Sequence, residues 1–168
     1  GVLNGASAKM PRYFQDTGRV QDLETRLLTC METLQGIDPK AVIDAKWLKG
    51  EREKMAALVA YIVTQSNGQK IAIDMKPPQM KKMYELGKLA FYYRSGPMDF
   101  ACTTCHGAEG KRIRLQELPN LTKNPGAGAG FGAWPAYRVS NGQMWGMQLR
   151  LNDCYRQQRF PYPLFGSD

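Results

Sequence analysis

The stretch Cys102-Thr103-Thr104-Cys105-His106 decides how this sequence is interpreted. In a C-x-x-C-H pattern two thiols one helical turn apart reach two vinyl groups of a porphyrin, and the next residue turns its imidazole onto the iron. A zinc site would need further Cys or His ligands, which the chain does not supply, because His106 is its only histidine. The motif therefore predicts one covalent haem c, attached through Cys102 and Cys105 with His106 as the proximal metal ligand.

The residue on the opposite side of the iron has to be something other than a second histidine of this chain. Methionine is typical of electron carriers, since a thioether raises the reduction potential, and Met144 and Met147 lie at a plausible distance in sequence. Cys154 is the other option, because a thiolate stabilises ferric iron and suits a site that performs sulfur chemistry. A water molecule or a residue of a partner would also complete the site.

Cys154 is preferred because basic residues surround it in sequence. Arg150 lies one helical turn before it, and Arg156 and Arg159 follow it. Nearby positive charge lowers the pKa of a thiol, so we expect a reactive thiolate at Cys154 with Arg150 as an anion binder. The structural alternative is a buried cysteine or a disulfide with Cys30.

Composition limits the remaining classes of protein. The chain is 43% hydrophobic, which predicts a folded core, and its net charge of +8 favours contact with an acidic protein or an anionic substrate. Its Lys and Arg residues are scattered, which argues against nucleic acid. No apolar run approaches the ~20 residues of a bilayer-spanning helix. Haem attachment of this kind implies assembly outside the cytoplasm, so we expect a periplasmic protein.

Apolar periodicity predicts a mainly α chain in two units, 1–75 and 76–168, separated at Pro77-Pro78. The pattern R-L-x-x-C occurs once in each unit, ending at Cys30 and at Cys154, which fits two related units in tandem. Only the second unit has the haem motif. Helices are predicted at 22–35, about 50–65, about 79–94, 111–118 and about 142–157, and a flexible glycine-rich loop is predicted at 124–132.

Several further stretches resemble the SoxA subunits of SoxAX cytochromes, which belong to the thiosulfate-oxidising Sox system. They are Pro11-Arg12-Tyr13-Phe14, Thr17-Gly18-Arg19-Val20, Leu23-Glu24 with Cys30, Ala60 to Gly68, Gly87-Lys88 with Phe91-Tyr92-Tyr93, Trp134-Pro135-Ala136-Tyr137-Arg138, and Arg150 with Cys154, Pro161, Pro163 and Gly166-Ser167-Asp168. Together with the haem motif they occur in the order found in that family.

The resemblance implies two tandem class I cytochrome c-like domains, of which only the second keeps a haem motif here. It implies an L-cysteine S-thiosulfotransferase that joins thiosulfate to a cysteine of a SoxYZ-like carrier protein while two electrons leave through haem c. The implied partner is a SoxX-like monohaem cytochrome c. By the same resemblance Cys154 is an axial ligand that is found as a cysteine persulfide, and Arg150 is the cation beside it.

Two departures from the family pattern lead to further expectations. The first unit has no C-x-x-C-H, so Cys30 has no haem to serve, and by the resemblance we expect a disulfide to an upstream cysteine. We also expect the natural chain to extend beyond both ends of this sequence. The competing functions are a monohaem electron-transfer cytochrome with His/Met ligation and a thiosulfate dehydrogenase.

Overall fold

The computed structural model describes residues 2–45, 49–113, 115–161 and 164–167. Helices form about half of the chain, and each sheet that the described residues form has two antiparallel strands. The helices are α1 (Leu23–Gln35), α2 (Pro39–Ile43), α3 (Glu51–Thr64), α4 (Pro78–Tyr92), α5 (Cys102–His106), α6 (Gly126–Gly132) and α7 (Met147–Gln157). The strand pairs are β1 (Arg12–Phe14) with β2 (Arg19–Gln21), β3 (Arg112–Ile113) with β4 (Gln116–Glu117), and β5 (Ala136–Arg138) with β6 (Gln143–Trp145).

The first predicted helix is confirmed, and its ends follow from its capping residues. The Asp22 carboxylate accepts a hydrogen bond from the Thr25 backbone N–H at 2.7 Å, and Gly36 ends α1 in the left-handed region with φ 66°. The helix predicted at about 50–65 is confirmed as α3, which buries Met55 and Val59. The helix predicted at about 79–94 is confirmed as α4.

The main apolar cluster joins the beginning of the chain to its last described residues. It consists of Leu28, Met31, Val42, Met55 and Phe165. Arg52 stabilises the same region, because its Nε donates to the Val42 carbonyl at 2.9 Å and its guanidinium lies 4.6 Å from the centre of the Phe165 ring. Segment 164–167 therefore packs against α1–α3. The division into units 1–75 and 76–168 stays a prediction.

The helix predicted at 111–118 is wrong, because β3 and β4 form a hairpin there. Ile113 and Leu115 are 37% and 95% exposed, so a helix here would have no buried apolar face to stabilise it. The flexible loop predicted at 124–132 is also wrong, because residues 126–132 form α6. Its glycines permit a helix that lies against the backbone of Asn120, where no side chain would fit.

The last predicted helix is confirmed only from Met147 onward. Residues 143–145 instead form β6, with Met144 opposite Tyr137, because Gly142 turns the chain at φ 64° and Gly146 separates the strand from α7. Pro163 and Asp168, which contribute to the family resemblance, lie outside the described residues. No helix in the described ranges is both long and apolar enough to cross a membrane.

Candidate haem and sulfur site

The C-x-x-C-H motif forms the short helix α5, which packs against α4. Ala101 precedes it in an extended conformation, and the Ala101 N–H donates to Thr104 Oγ1 at 2.9 Å. Cys102 and Cys105 stand one helical turn apart as half-exposed free thiols. Both sulfurs are therefore accessible for attachment of a cofactor, as the sequence predicts.

The imidazole of His106 is held in one orientation by the chain that follows it. Its Nδ1 lies 2.9 Å from the Pro119 carbonyl oxygen, and the Leu121 N–H donates to the His106 carbonyl at 2.9 Å. A carbonyl oxygen can only accept, so Nδ1 carries the proton and Nε2 presents a lone pair to a metal. This is the tautomer that a proximal ligand needs.

The segment that carries the Pro119 carbonyl is itself fixed. Asn120 is 4% exposed, and its Oδ1 accepts hydrogen bonds from the N–H and the hydroxyl of Thr122 at 3.0 and 2.6 Å. Gly126 and Gly130 of α6 lie against Asn120 and Leu121 without a side chain between them. The glycine-rich stretch therefore supports the orientation of His106.

Cys154 lies on α7 and is close to the motif. Its thiol interacts electrostatically with the thiols of Cys102 and Cys105, and Tyr155 interacts with both Cys102 and Cys154. The structure thus brings together residues 102, 105 and 154, which the sequence separates by about fifty positions. All four cysteines are free thiols in the structure, so the alternative of a Cys30–Cys154 disulfide is wrong.

The prediction that basic residues lower the pKa of the Cys154 thiol overall is wrong. Burial has the largest effect and raises this pKa, and the charges of Asp153 and Cys105 raise it further. The charges of Arg150 and Arg138 lower the pKa, but by less. Arg156 binds Asp153 instead of acting on the thiol. The effect of burial on the pKa exceeds that of the neighbouring arginines, because the Asp153 carboxylate partly neutralises Arg150 and Arg156.

Asp153 is a buried carboxylate that organises the polar side of α7. It is 4% exposed and accepts hydrogen bonds from Arg156 at 2.7 Å, from Gln157 at 2.7 Å and from Arg150 at 3.4 Å. The Arg150 guanidinium also lies 5.8 Å from the centre of the Trp134 ring. Arg150 is therefore held one helical turn from Cys154, where the sequence predicted a cation.

A cavity of about 510 Å³ opens beside Asp153 and is lined by two arginines. One of them is Arg138, whose guanidinium lies 5.4 Å from the centre of the Trp145 ring. The Arg138 Nε is buried and makes no hydrogen bond to the part of the chain that the structure describes. The other is Arg156, and the rest of the wall comes from Ser140, Asn141, Trp145, Asp153 and Gln157.

Sequence reasoning missed Arg138 and Pro119 as site residues. Arg138 ends the stretch Trp134-Pro135-Ala136-Tyr137-Arg138, and its place in that stretch is the only sign of its role that the sequence offers. Pro119 contributes a backbone carbonyl, for which a sequence has no side-chain signal. Cys30 lies on α1, where it interacts with Arg26 and stands apart from the motif.

The mainly helical fold and the braced C-x-x-C-H motif define the class of protein as cytochrome c-like. The model of the SoxA/TsdA cytochrome c domain matches residues 1–71, a stretch that precedes the haem motif. The chain also superposes on a chain of the crystal structure of SoxXA from P. pantotrophus with a TM-score of 0.77 and 25% identity. That superposition covers 98% of this chain and 56% of the other.

Similarity in sequence extends over the whole length. The chain is 66% identical over 168 residues to the L-cysteine S-thiosulfotransferase subunit SoxA of Hydrogenophilus thermoluteolus. It is 39% identical over 163 residues to a subunit of the same name from Hydrogenobacter thermophilus. The chain spans 62% and 58% of these two relatives. Over its whole length the chain is therefore similar to SoxA subunits.

Proposed function

We propose that this chain is the catalytic part of a haem-dependent L-cysteine S-thiosulfotransferase that joins thiosulfate to a cysteine of a SoxYZ-like carrier protein. The observation that supports this most is the position of Cys154, whose thiol lies close to those of Cys102 and Cys105, with Arg150 one helical turn away. A second support is the 66% identity of this chain to a SoxA relative that is named as an L-cysteine S-thiosulfotransferase subunit.

The residues present fit a single haem c. Cys102 and Cys105 would attach it, and His106 would bind the iron through Nε2, which the hydrogen bond to Pro119 leaves free. Cys154 would be the second protein ligand and the site of a persulfide. When bound, the haem would supply an acceptor for one electron at a time beside the reacting sulfur.

Thiosulfate is a dianion, so the charge around the site matters for its binding. Arg150 stands next to Cys154, and the cavity beside α7 adds Arg138 and Arg156 against the single carboxylate of Asp153. Because the Arg138 Nε lacks a hydrogen-bond partner within the described residues, it is available to an anionic oxygen. The cations would bind the sulfonate oxygens and leave the outer sulfur of thiosulfate free to form the S–S bond.

The proposed reaction balances as an oxidative S–S bond formation. The carrier thiol loses its proton, its sulfur bonds to the outer sulfur of thiosulfate, and two electrons leave. The product is a carrier cysteine S-thiosulfonate. Cys154 would keep a sulfur atom beside the place where the bond forms, and its partial burial limits the contact of that sulfur with solvent.

The assembly around this chain follows the same proposal. We infer a SoxX-like monohaem cytochrome as the electron-accepting partner, because the superposed structure is a SoxXA complex. Tandem cytochrome c-like domains divided near residue 75 and a periplasmic location complete the proposal.

Incubation of the haem-loaded chain and its cytochrome partner with thiosulfate and a SoxYZ-like carrier tests this proposal. We expect one thiosulfonate adduct on the carrier cysteine, seen by mass spectrometry, with about two electrons transferred per adduct. A carrier whose reactive cysteine is replaced by serine is the control and should remain unmodified. Formation of tetrathionate without any carrier would contradict the proposal and would indicate a thiosulfate dehydrogenase instead.

A further inference from the structure

The helix that carries Arg150 and Cys154 has no capping side chain of its own. Gly146 occupies the N-cap position of α7 with φ −80° and ψ 176°, and glycine offers no oxygen to the free N–H groups of the first turn. A helix start of this kind needs an acceptor from elsewhere.

The acceptor comes from α1, more than a hundred residues earlier in the chain. Glu24 Oε2 accepts a hydrogen bond from the Gln148 backbone N–H at 2.9 Å. Gln148 is the second helical residue of α7. Glu24 is 6% exposed. A negative carboxylate at a helix N-terminus also interacts favourably with the helix dipole. Glu24 thus does for α7 what an N-cap residue ordinarily does.

Further contacts around Gln148 hold the first turn of α7 in the same place. The Gln148 side chain donates to both Asp22 carboxylate oxygens at 2.9 and 2.8 Å and accepts from the Gly166 N–H at 2.7 Å. A Cβ atom at position 146 would lie 2.7 Å from Glu24 Cδ, so glycine leaves the space that the carboxylate occupies. The start of α7 is therefore fixed to α1 and to segment 164–167.

We propose that Glu24 is a positioning residue, which caps α7 from α1 and so holds Cys154 in its place against the haem motif. Cys154 follows Gln148 by six residues, or roughly 9 Å along the helix axis, so a shift of the first turn moves the thiol with it. The importance of that thiol for turnover rests on the proposed function. The capping role itself does not.

The capping carboxyl titrates near neutrality. Burial raises the pKa of Glu24 from 4.5 to about 7, the hydrogen bond from Gln148 opposes this, and the charge of Asp22 adds to it. Asp22 is the N-cap residue of the same helix. The elements that pack against it, α7 and segment 164–167, contribute uncharged groups here, which are the Gln148 side chain and the Gly166 N–H. The folded chain holds the proton more tightly than the unfolded chain. Stability should therefore fall as pH rises from about 4.5 to 7 and then level off.

The test compares Glu24→Ala with Glu24→Gln, and with Glu32→Gln on an exposed position of the same helix as the control. Glu24→Ala removes the acceptor, so amide hydrogen exchange at Gln148 should become about 5- to 30-fold faster, as expected for the loss of an N-cap. Alkylation of Cys154, followed by mass spectrometry, should become several-fold faster, while Cys30 serves as an internal reference. Glu24→Gln retains a side-chain oxygen and should restore both rates to nearly the wild-type values.

A pH series separates positioning from simple loss of packing. The thermal midpoint of the wild type should fall relative to that of Glu24→Gln between pH 5 and 7.5, while Glu32→Gln follows the wild type. Unchanged Gln148 exchange or unchanged Cys154 alkylation in Glu24→Ala would overturn the proposal. These measurements use no substrate, so their failure is distinguishable from failure of the proposed sulfur transfer.

Discussion

Replacement of Cys154 by alanine should reduce thiosulfate transfer by about 1,000-fold or more while the chain keeps its haem. The attachment residues Cys102 and Cys105 remain in this variant, so covalent haem should be unaffected. What is lost is the sulfur that α7 places near them. The measurement is the rate of adduct formation on the carrier, normalised to haem content from the absorption spectrum.

Cys30→Ala is the matched control for this variant. Both cysteines end an R-L-x-x-C pattern on a helix and both are half-buried free thiols, but Cys30 interacts with Arg26 and not with the haem motif. We expect Cys30→Ala to retain transfer within about twofold, because substitutions away from a functional site usually have small effects. Full activity in Cys154→Ala would show that the proposed function is wrong.

Replacement of His106 by glycine should abolish the low-spin spectrum of the haem protein. The chain contains one histidine, so no other imidazole of this chain can take its place. Loss of an outer-shell partner typically costs roughly 10- to 100-fold in metal affinity or activity, and loss of the ligand itself should cost more. The absorption spectrum and the haem retained per chain measure the effect.

Free imidazole provides the rescue for His106→Gly. Added imidazole should restore the spectrum in part, because the Pro119 carbonyl that braces the ring in the wild type remains available to the small molecule. The wild-type spectrum should not respond to the same concentration. A His106→Gly variant that keeps the wild-type spectrum without imidazole would contradict the assignment of His106 as proximal ligand.

Much of the helical part of this fold was predictable because its signals are local. Asp22 and Gly36 specify the two ends of α1 through a side-chain cap and a left-handed residue, and apolar periodicity places α3. The same local rules failed at residues 126–132. Four glycines there predict a loop, but tight packing against Asn120 makes a helix the arrangement that fits.

The site was predictable where it depends on residue type and unpredictable where it depends on tertiary contacts. The C-x-x-C-H spacing indicates Cys102, Cys105 and His106 by itself. The direction of the pKa shift at Cys154 does not follow from the sequence, because the fold pairs Arg156 with Asp153 and partly buries the thiol. The cap from Glu24 to Gln148 joins residues 124 positions apart, and no local pattern reports such a contact.

Low-temperature electron paramagnetic resonance of the ferric haem protein tests whether Cys154 binds the iron, because it reports which atoms are its ligands. We expect a low-spin thiolate-type signal in the wild type and in Cys30→Ala, and its disappearance in Cys154→Ala. A signal that Cys154→Ala leaves unchanged, together with the weak long-wavelength absorption band of a methionine ligand, would show that Cys154 is not the ligand and would assign the position to Met144 or Met147.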